Sequence, residues 1–207
     1  MSADLMPFIS TIIAADDRAF EAALSGQPDL AHNRLAEGAT RQGGGDFFVP
    51  SLGRYLMAGD TALHIAAAAY RVGMVQRLLA AGADPRARNR RGAEPLHAAA
   101  SGSPGSPGWN PDAQARTIAA LIKAGADPDA RDKSGTTPLH KAVRTRCTAA
   151  VAALIERGAD PRLKTKSGTT PMALAQLTTG RSGSGSVEAR AEQATILRYL
   201  QADITEN

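Results

Sequence analysis

The sequence has one cysteine, Cys147, among 207 residues. A single thiol cannot form a disulfide within the chain, so the fold has to hold without covalent cross-links, and a reducing compartment suits it. Aromatic residues are also scarce, at 4% of the chain. A buried core therefore has to come mostly from alanine, leucine, isoleucine and valine.

The chain also lacks a long apolar run and a strong charge of either sign. Its N-terminal apolar-rich stretch runs only from Phe8 to Ala15, with Asp4 and no basic residue before it. This indicates neither a membrane span of about 18 apolar residues nor a secretory signal. The 24 basic and 20 acidic residues leave a net charge of +4, which is weak for a dedicated nucleic-acid binder. We expect a cytoplasmic protein that binds no membrane and needs no cofactor.

The most informative feature that is present is internal repetition. A Leu-His pair occurs at Leu63, Leu96 and Leu139, and Met172 takes the place of the leucine in a fourth copy, so the copies begin 33, 43 and 33 residues apart. Periods of this length are typical of repeat proteins, in which each copy buries its apolar side only against its neighbours.

Each copy has the pattern of a helix, a turn, a second helix and an extended link. Thr137 before Pro138 is typical of a helix N-cap followed by proline in the first turn, and Thr170 with Pro171 repeats it. The second helix ends at a glycine, and a polar stretch then leads to another glycine, which predicts a hairpin-like projection. The helix-ending glycines are Gly82, Gly125 and Gly158, and the hairpin glycines are Gly92, Gly135 and Gly168.

The segments SGTTPLHKAV and VAALIERGADPRLKTKSGTTPM resemble the ankyrin repeat. This resemblance implies an all-α ankyrin-repeat solenoid of helix pairs with short hairpin projections, and it implies the family's usual role, which is non-catalytic recognition of another protein. Residues 1–58 would hold a degenerate N-terminal capping helix pair and a long loop. The chain as a whole also resembles bacterial ankyrin-repeat proteins without an assigned activity. The four expected repeats are 59–91, 92–134, 135–167 and 168–207.

A stack of such repeats would offer two surfaces to a partner protein. The inner helices would place Ile65, Ala98, Lys141 and Leu174 on a concave face. The stacked hairpins would align positive charge into two short rows, which suits an acidic protein better than nucleic acid. The alternative is that these cations are ordinary solvated residues. The rows are Arg88, Arg131 and Lys164, and Arg90, Lys133 and Lys166, with Arg91 beside them.

Gly-rich insertions separate the two helices of the second and fourth repeats, at 101–110 and 178–186. They would stand about 20 Å apart and flank the short turn of the third repeat, which forms a notch with a cationic floor. Such a notch is a candidate site for an acidic peptide or another anionic ligand. The alternative is that both loops are spacers left by duplication of a two-repeat unit. The notch residues are Trp109, Arg144, Arg146 and Arg181.

Some residues allow a catalytic or metal-binding interpretation. His64, His97 and His140 could be ligands of a metal, but equivalent residues on successive repeats are expected to bond to nearby backbone instead. Cys147 could be a thiolate activated by the neighbouring arginines, but no base accompanies it, so a partly buried small residue is expected. An enzyme would need a convergent acid, base or metal cluster, and we find none outside the repeat motif.

Residues 32–59 occupy the place of an ordinary hairpin before the first repeat. They contain two apolar clusters, Phe47–Val49 and Tyr55–Met57. We expect these clusters to fold over the exposed end of the stack and seal it. The alternative is an exposed contact patch.

Overall fold

The fold is a row of helix pairs stacked side by side, as the sequence predicted. The computed structural model of the chain describes residues 5–40, 44–102, 104, 109–177 and 187–205. A short antiparallel hairpin, β1 (Phe48–Val49) with β2 (Arg54–Tyr55), lies between the second and third helices. The helices are α1 (Leu5–Ala14), α2 (Asp17–Gly26), α3 (Ala62–Ala68), α4 (Val72–Ala80), α5 (Pro95–Ala100), α6 (Pro111–Lys123), α7 (Pro138–Arg144), α8 (Thr148–Ile155), α9 (Pro171–Gln176) and α10 (Val187–Thr205).

The odd-numbered helices form an inner layer and the even-numbered helices an outer layer. In the inner layer α1, α3, α5, α7 and α9 contact one another in order, and in the outer layer α4, α6, α8 and α10 do the same. The core lies between the layers, where leucines recur at equivalent positions. Because one short helix pair cannot shield these side chains alone, each pair depends on its neighbours. The fully buried leucines include Leu63, Leu78, Leu96, Leu121, Leu139 and Leu154.

The inner helices begin as the sequence predicted. The Thr137 hydroxyl accepts the backbone N–H of His140 at 3.4 Å, and Pro138 occupies the first turn, where its missing N–H costs no hydrogen bond. Thr61 and Thr170 cap α3 and α9 in the same way. These caps fix the residue at which each of these inner helices starts. They therefore also fix how each helix is aligned with its neighbours in the stack.

Backbone hydrogen bonds join successive hairpin projections along one edge, which we call the hairpin edge. The N–H of one projection donates to a carbonyl of the preceding projection at 2.7 to 2.9 Å. Gly135, at φ +75°, lies so near the next projection that a Cβ would come within 2.8 Å of the Lys166 nitrogen. Glycine is therefore required for the close approach. The donor and acceptor residues are Arg90 with Ala58, Lys133 with Arg91, and Lys166 with Ser134.

Residues 32–59, which we call the inserted segment, pack on the hairpin edge. Leu56 and Met57 are buried, whereas Phe48 and Tyr55 are 41% and 45% exposed, with ring centroids 4.9 Å apart. The pair α1–α2 covers the end of the stack through the contact of α1 with α3. Val49 and Leu56 of the two apolar clusters belong to the same buried core as the α1 side chains, whereas Phe48 and Tyr55 are exposed, so sealing of this end by the inserted segment stays a prediction.

Asp60 is the main anchor of the inserted segment. Its fully buried carboxylate accepts the Met57 N–H at 2.8 Å and the Asn89 side-chain amide at 2.8 Å, and it pairs with Arg54 at 3.3 Å. Met57 and Arg54 belong to the inserted segment, whereas Asn89 belongs to the next projection. One carboxylate therefore joins two successive projections.

Gly38 packs against the backbone of the inserted segment too closely for a side chain. A Cβ at this position would lie within 3 Å of the Ala58 nitrogen and of two backbone atoms of Met57. We expect Gly38→Ala to lower the free energy of unfolding by about 1–3 kcal/mol. The control is Gly45→Ala in the same segment, where a Cβ meets no atom within 4 Å. Urea unfolding followed by circular dichroism measures both, and equal loss in the two variants would contradict the close packing.

Candidate partner-binding groove

A groove of about 710 Å³ runs along the concave side of the stack. Its floor is formed by short side chains at the ends of the inner helices, Ala68, Ala69 and Ala98. Residues 50–55 of the inserted segment form one wall, and Lys141 of α7 lies on the lining at the far end. Small floor residues leave room for the side chains of another molecule to approach the helices.

The edge of the groove away from the hairpins is held by hydrogen bonds around Gln114. The Trp109 indole N–H donates to Gln114 at 3.0 Å, and the Gln114 amide donates to the Ala99 carbonyl at 2.9 Å. The Tyr70 hydroxyl donates to the Ser101 carbonyl. Burial raises the pKa of Tyr70, so its hydroxyl keeps the proton that it donates. The described ends of the first Gly-rich loop are thereby fixed to the stack.

Cys147 lies beneath this edge and is fully buried. Its sulfur is 3.3 Å from the Thr145 hydroxyl, and a Cβ on Gly102 would come within 2.7 Å of it. Burial raises the pKa of the thiol. A protonated and inaccessible thiol is a poor nucleophile, and the residue is more deeply buried than the partly buried position that the sequence predicted.

Lys141 is the cation at the far end of the groove. Its side chain is 19% exposed, and its ammonium lies 3.8 Å from the Asp132 carboxylate. Burial lowers the pKa of Lys141, and the positive charges of Arg144, Arg91 and Arg54 lower it further. The ammonium is thus held near other cations by the fold.

Two arginines add further positive charge to the lining. The Arg71 Nε is buried without a hydrogen-bond partner, and the Arg91 guanidinium makes no ion pair, within the part of the chain that the structure describes. One acidic side chain, Glu94, also lines the groove and lies 3.1 Å from Arg88. Burial raises the pKa of Glu94, and the neighbouring Arg88 guanidinium partly offsets this rise. The groove lining therefore combines apolar and polar side chains with an excess of positive charge.

Ile65 does not belong to this surface. It is 0% exposed, whereas Ala98, Lys141 and Leu174, at the equivalent positions of the later inner helices, are partly exposed. Ile65 lies in the inner helix α3, which is packed between α1 and α5. The predicted contact of Ile65 with a partner is therefore wrong.

Three of the predicted row residues hold neighbouring parts of the stack together. Arg88 pairs with Glu94 at 3.1 Å, Arg90 donates to a carbonyl of the inserted segment at 2.6 Å, and Arg131 donates to the Lys164 carbonyl at 3.1 Å. These guanidinium groups are thus engaged within the chain. The row cations with exposed side chains and no side-chain partner among the described residues are Lys133, Lys164 and Lys166.

The predicted notch is described only in part. Arg144 is exposed at the end of α7, and Arg146 occupies the turn after it with φ +56°. Trp109 is bound to Gln114 at the groove edge. The second wall, with Arg181, lies outside the described residues, so the notch stays a prediction.

The three motif histidines bond to backbone in the same manner. In each, Nδ1 accepts an N–H at the start of its own helix at 3.1 to 3.3 Å, so Nε2 carries the proton and donates to the following projection at 3.0 Å. Burial lowers the pKa of all three, to about 4 for His97. The prediction that they bond to nearby backbone is confirmed. The acceptors are the carbonyls of Ala93 for His64, Thr136 for His97 and Thr169 for His140.

The described residues also bear on metal sites and membrane spans. No group of three or more histidine, cysteine, aspartate and glutamate side chains is placed to hold a metal ion in this part of the chain. None of the helices there combines the length and apolar character that a membrane crossing requires.

Comparison with known families agrees with the architecture. A model of the ankyrin repeat matches residues 58–90 and 91–133, and a model of ankyrin repeats in many copies matches residues 121–175. A comparison with curated proteins found no match. Proteins of the matched family are generally protein-interaction modules and typically non-catalytic. The matches extend from the last residues of the inserted segment through α9, over more than half of the sequence, and the chain belongs to the ankyrin-repeat family.

Proposed function

We propose that the chain is a non-catalytic protein-interaction module that binds a segment of a partner protein in the concave groove. The observation that carries this proposal is the construction of the groove. The inserted segment and the hydrogen bonds around Gln114 add two walls to a face that stacked inner helices alone leave open.

The size and chemistry of the groove support a peptide segment as the occupant. Its volume of about 710 Å³ lies within the range of sites that enclose several side chains. An apolar floor with a polar rim is also the usual anatomy of a protein interface. Lys133, Lys164 and Lys166 would extend the contact along the hairpin edge.

Two other functions have less support. An enzyme needs a base or nucleophile free to react, but the histidines on the groove lining use both ring nitrogens in backbone hydrogen bonds. Binding of nucleic acid along the hairpin edge would depend on the three exposed lysines, since the row arginines are engaged. Such binding would weaken steeply as salt rises, because each phosphate contact releases a counterion.

Filling the groove tests the proposed function. We expect Ala98→Trp to reduce the amount of partner captured from native cell lysate about tenfold, because losing roughly 1.4 kcal/mol of binding energy has that effect. Ala80→Trp, at the exposed end of the outer helix α4, is the matched control and is expected to capture as much as the wild type.

The captured protein is quantified by mass spectrometry, and circular dichroism verifies that both variants keep their helices. Equal capture by Ala98→Trp and wild type would mean that the partner binds elsewhere.

A further inference from the structure

One residue of the groove departs from the apolar character of its repeat position. The equivalent residues on the other inner helices are Ile65, Ala98 and Leu174, whereas α7 carries Lys141. An alkyl side chain at this position would serve the stack equally well. The lysine therefore adds a charge that the fold does not need.

The surroundings of Lys141 make this charge costly. The nearest oxygen of the Asp132 carboxylate, Oδ2, is 3.8 Å away, which is longer than a hydrogen bond, while its Oδ1 accepts the backbone N–H groups of Ser134 and Thr136 at 2.8 and 3.0 Å. Arg91 lines the same groove and adds like charge, as its contribution to the lowered pKa of Lys141 indicates. A half-buried ammonium beside a guanidinium needs a stronger anionic partner than the chain provides.

A carboxylate is the group that these cations fit. A guanidinium can grip both carboxylate oxygens, and an ammonium adds a charge-assisted hydrogen bond. Arg54 is less suited to this role because Asp60 already pairs with it, and Glu94 is paired with Arg88. The alanine floor next to Lys141 offers no hydrogen bond and suits apolar side chains.

We propose that Lys141 and Arg91 select partner segments in which an aspartate or glutamate lies between apolar residues. The acidic side chain pairs with the two cations, and its apolar neighbours cover Ala68 and Ala98. This inference rests on the proposed function, since it specifies which segments the groove accepts.

A random dodecapeptide library displayed on phage provides the probe. Selection on the wild-type protein is expected to enrich peptides that carry aspartate or glutamate flanked by apolar residues. The enriched peptide is then synthesised and its Kd measured by fluorescence anisotropy. Lys141→Met should weaken binding about tenfold or more, as loss of a charge-assisted hydrogen bond does. Lys123→Met removes the same charge from the exposed end of the outer helix α6, outside both proposed contact surfaces, and should change the Kd by no more than about twofold.

A second peptide, with its acidic residue replaced by glutamine or asparagine, completes a double-mutant cycle. It should bind the wild type about tenfold more weakly and lose little further affinity for Lys141→Met, because the pair is already broken. Two outcomes would overturn this inference and leave the proposed function standing. In the first, the enriched peptides fail to bind Ala98→Trp but lack acidic residues. In the second, the double-mutant cycle shows no coupling between Lys141 and the acidic residue of the peptide. Failure to enrich any peptide, or peptides that bind Ala98→Trp equally well, would count against the proposed function itself.

Discussion

Asp60→Ala is expected to lower the free energy of unfolding by about 3–5 kcal/mol, because it removes a buried charge and leaves its partners unpaired. The Met57 N–H and the Asn89 amide both donate to this carboxylate at 2.8 Å. Both donors lie within the packed hairpin edge, where they would find no replacement. Arg54 is 22% exposed and can turn to water, so it contributes less to the loss.

Two spectroscopic probes show which part of the Asp60→Ala variant loses stability. Circular dichroism follows all helices during urea unfolding, whereas the fluorescence of Trp109, the single tryptophan of the sequence, reports the edge near Gln114. We expect the inserted segment and the N-terminal pair to unfold first in this variant, so that the two probes separate. Asp60→Asn keeps one oxygen acceptor and should lose about 1 kcal/mol. Equal stability of Asp60→Ala and wild type would show that the carboxylate does not hold the projections together.

Lowering the pH is the second change that we expect to decrease the free energy of unfolding strongly. The pKa values of His64, His97 and His140 are lowered in the folded chain by burial, so the unfolded chain takes up protons first. Stability is therefore fully present above the ordinary histidine pKa of about 6.5, and it is lost as the pH falls through the lower folded values. Between pH 6.5 and 5, His97 alone is expected to contribute a loss of about 2 kcal/mol.

The slope of the unfolding free energy against pH measures this effect directly. Near pH 5.5, His97→Gln should reduce the slope by close to one proton relative to the wild type. Glu94 and Asp129 act in the opposite direction, because burial raises the pKa of each carboxyl and acidification relieves that cost. Comparison with His97→Gln removes the influence of Asp129, which does not contact His97, and a Glu94→Gln background removes that of Glu94, whose backbone N–H donates to the His97 ring. An unchanged slope in His97→Gln would contradict the buried, neutral state of this histidine.

The stacking of the repeats could be predicted because its signals are local. Thr137 and Pro138 mark a helix start, and Gly82, Gly125 and Gly158 adopt φ values of +85°, +98° and +86° at helix ends. Each signal depends on a few neighbouring residues whose backbone preferences decide the conformation. Repetition then places every copy beside the next one.

The groove could not be predicted in the same way, because its walls depend on contacts between distant residues. Asp60 joins Met57 of the inserted segment to Asn89 of the next projection, and this contact does not follow from a local pattern. Tyr70 and Gln114 were also missed as edge residues. Tyr70 lies in a left-handed turn, with φ +54°, and its hydroxyl reaches the Ser101 carbonyl and the Gln114 amide of the next repeat. A tyrosine at the place of a turn glycine was the one available signal.

Because Cys147 is buried, its reaction with a thiol reagent reports how often the folded chain opens locally. A thiol reagent can meet this sulfur only when the turn of α7–α8 parts from Gly102 in the preceding pair. The labelling rate of the native chain is then set by how often these neighbours separate. Since the sequence has no other cysteine, each modified molecule records one such opening, with no engineered label required.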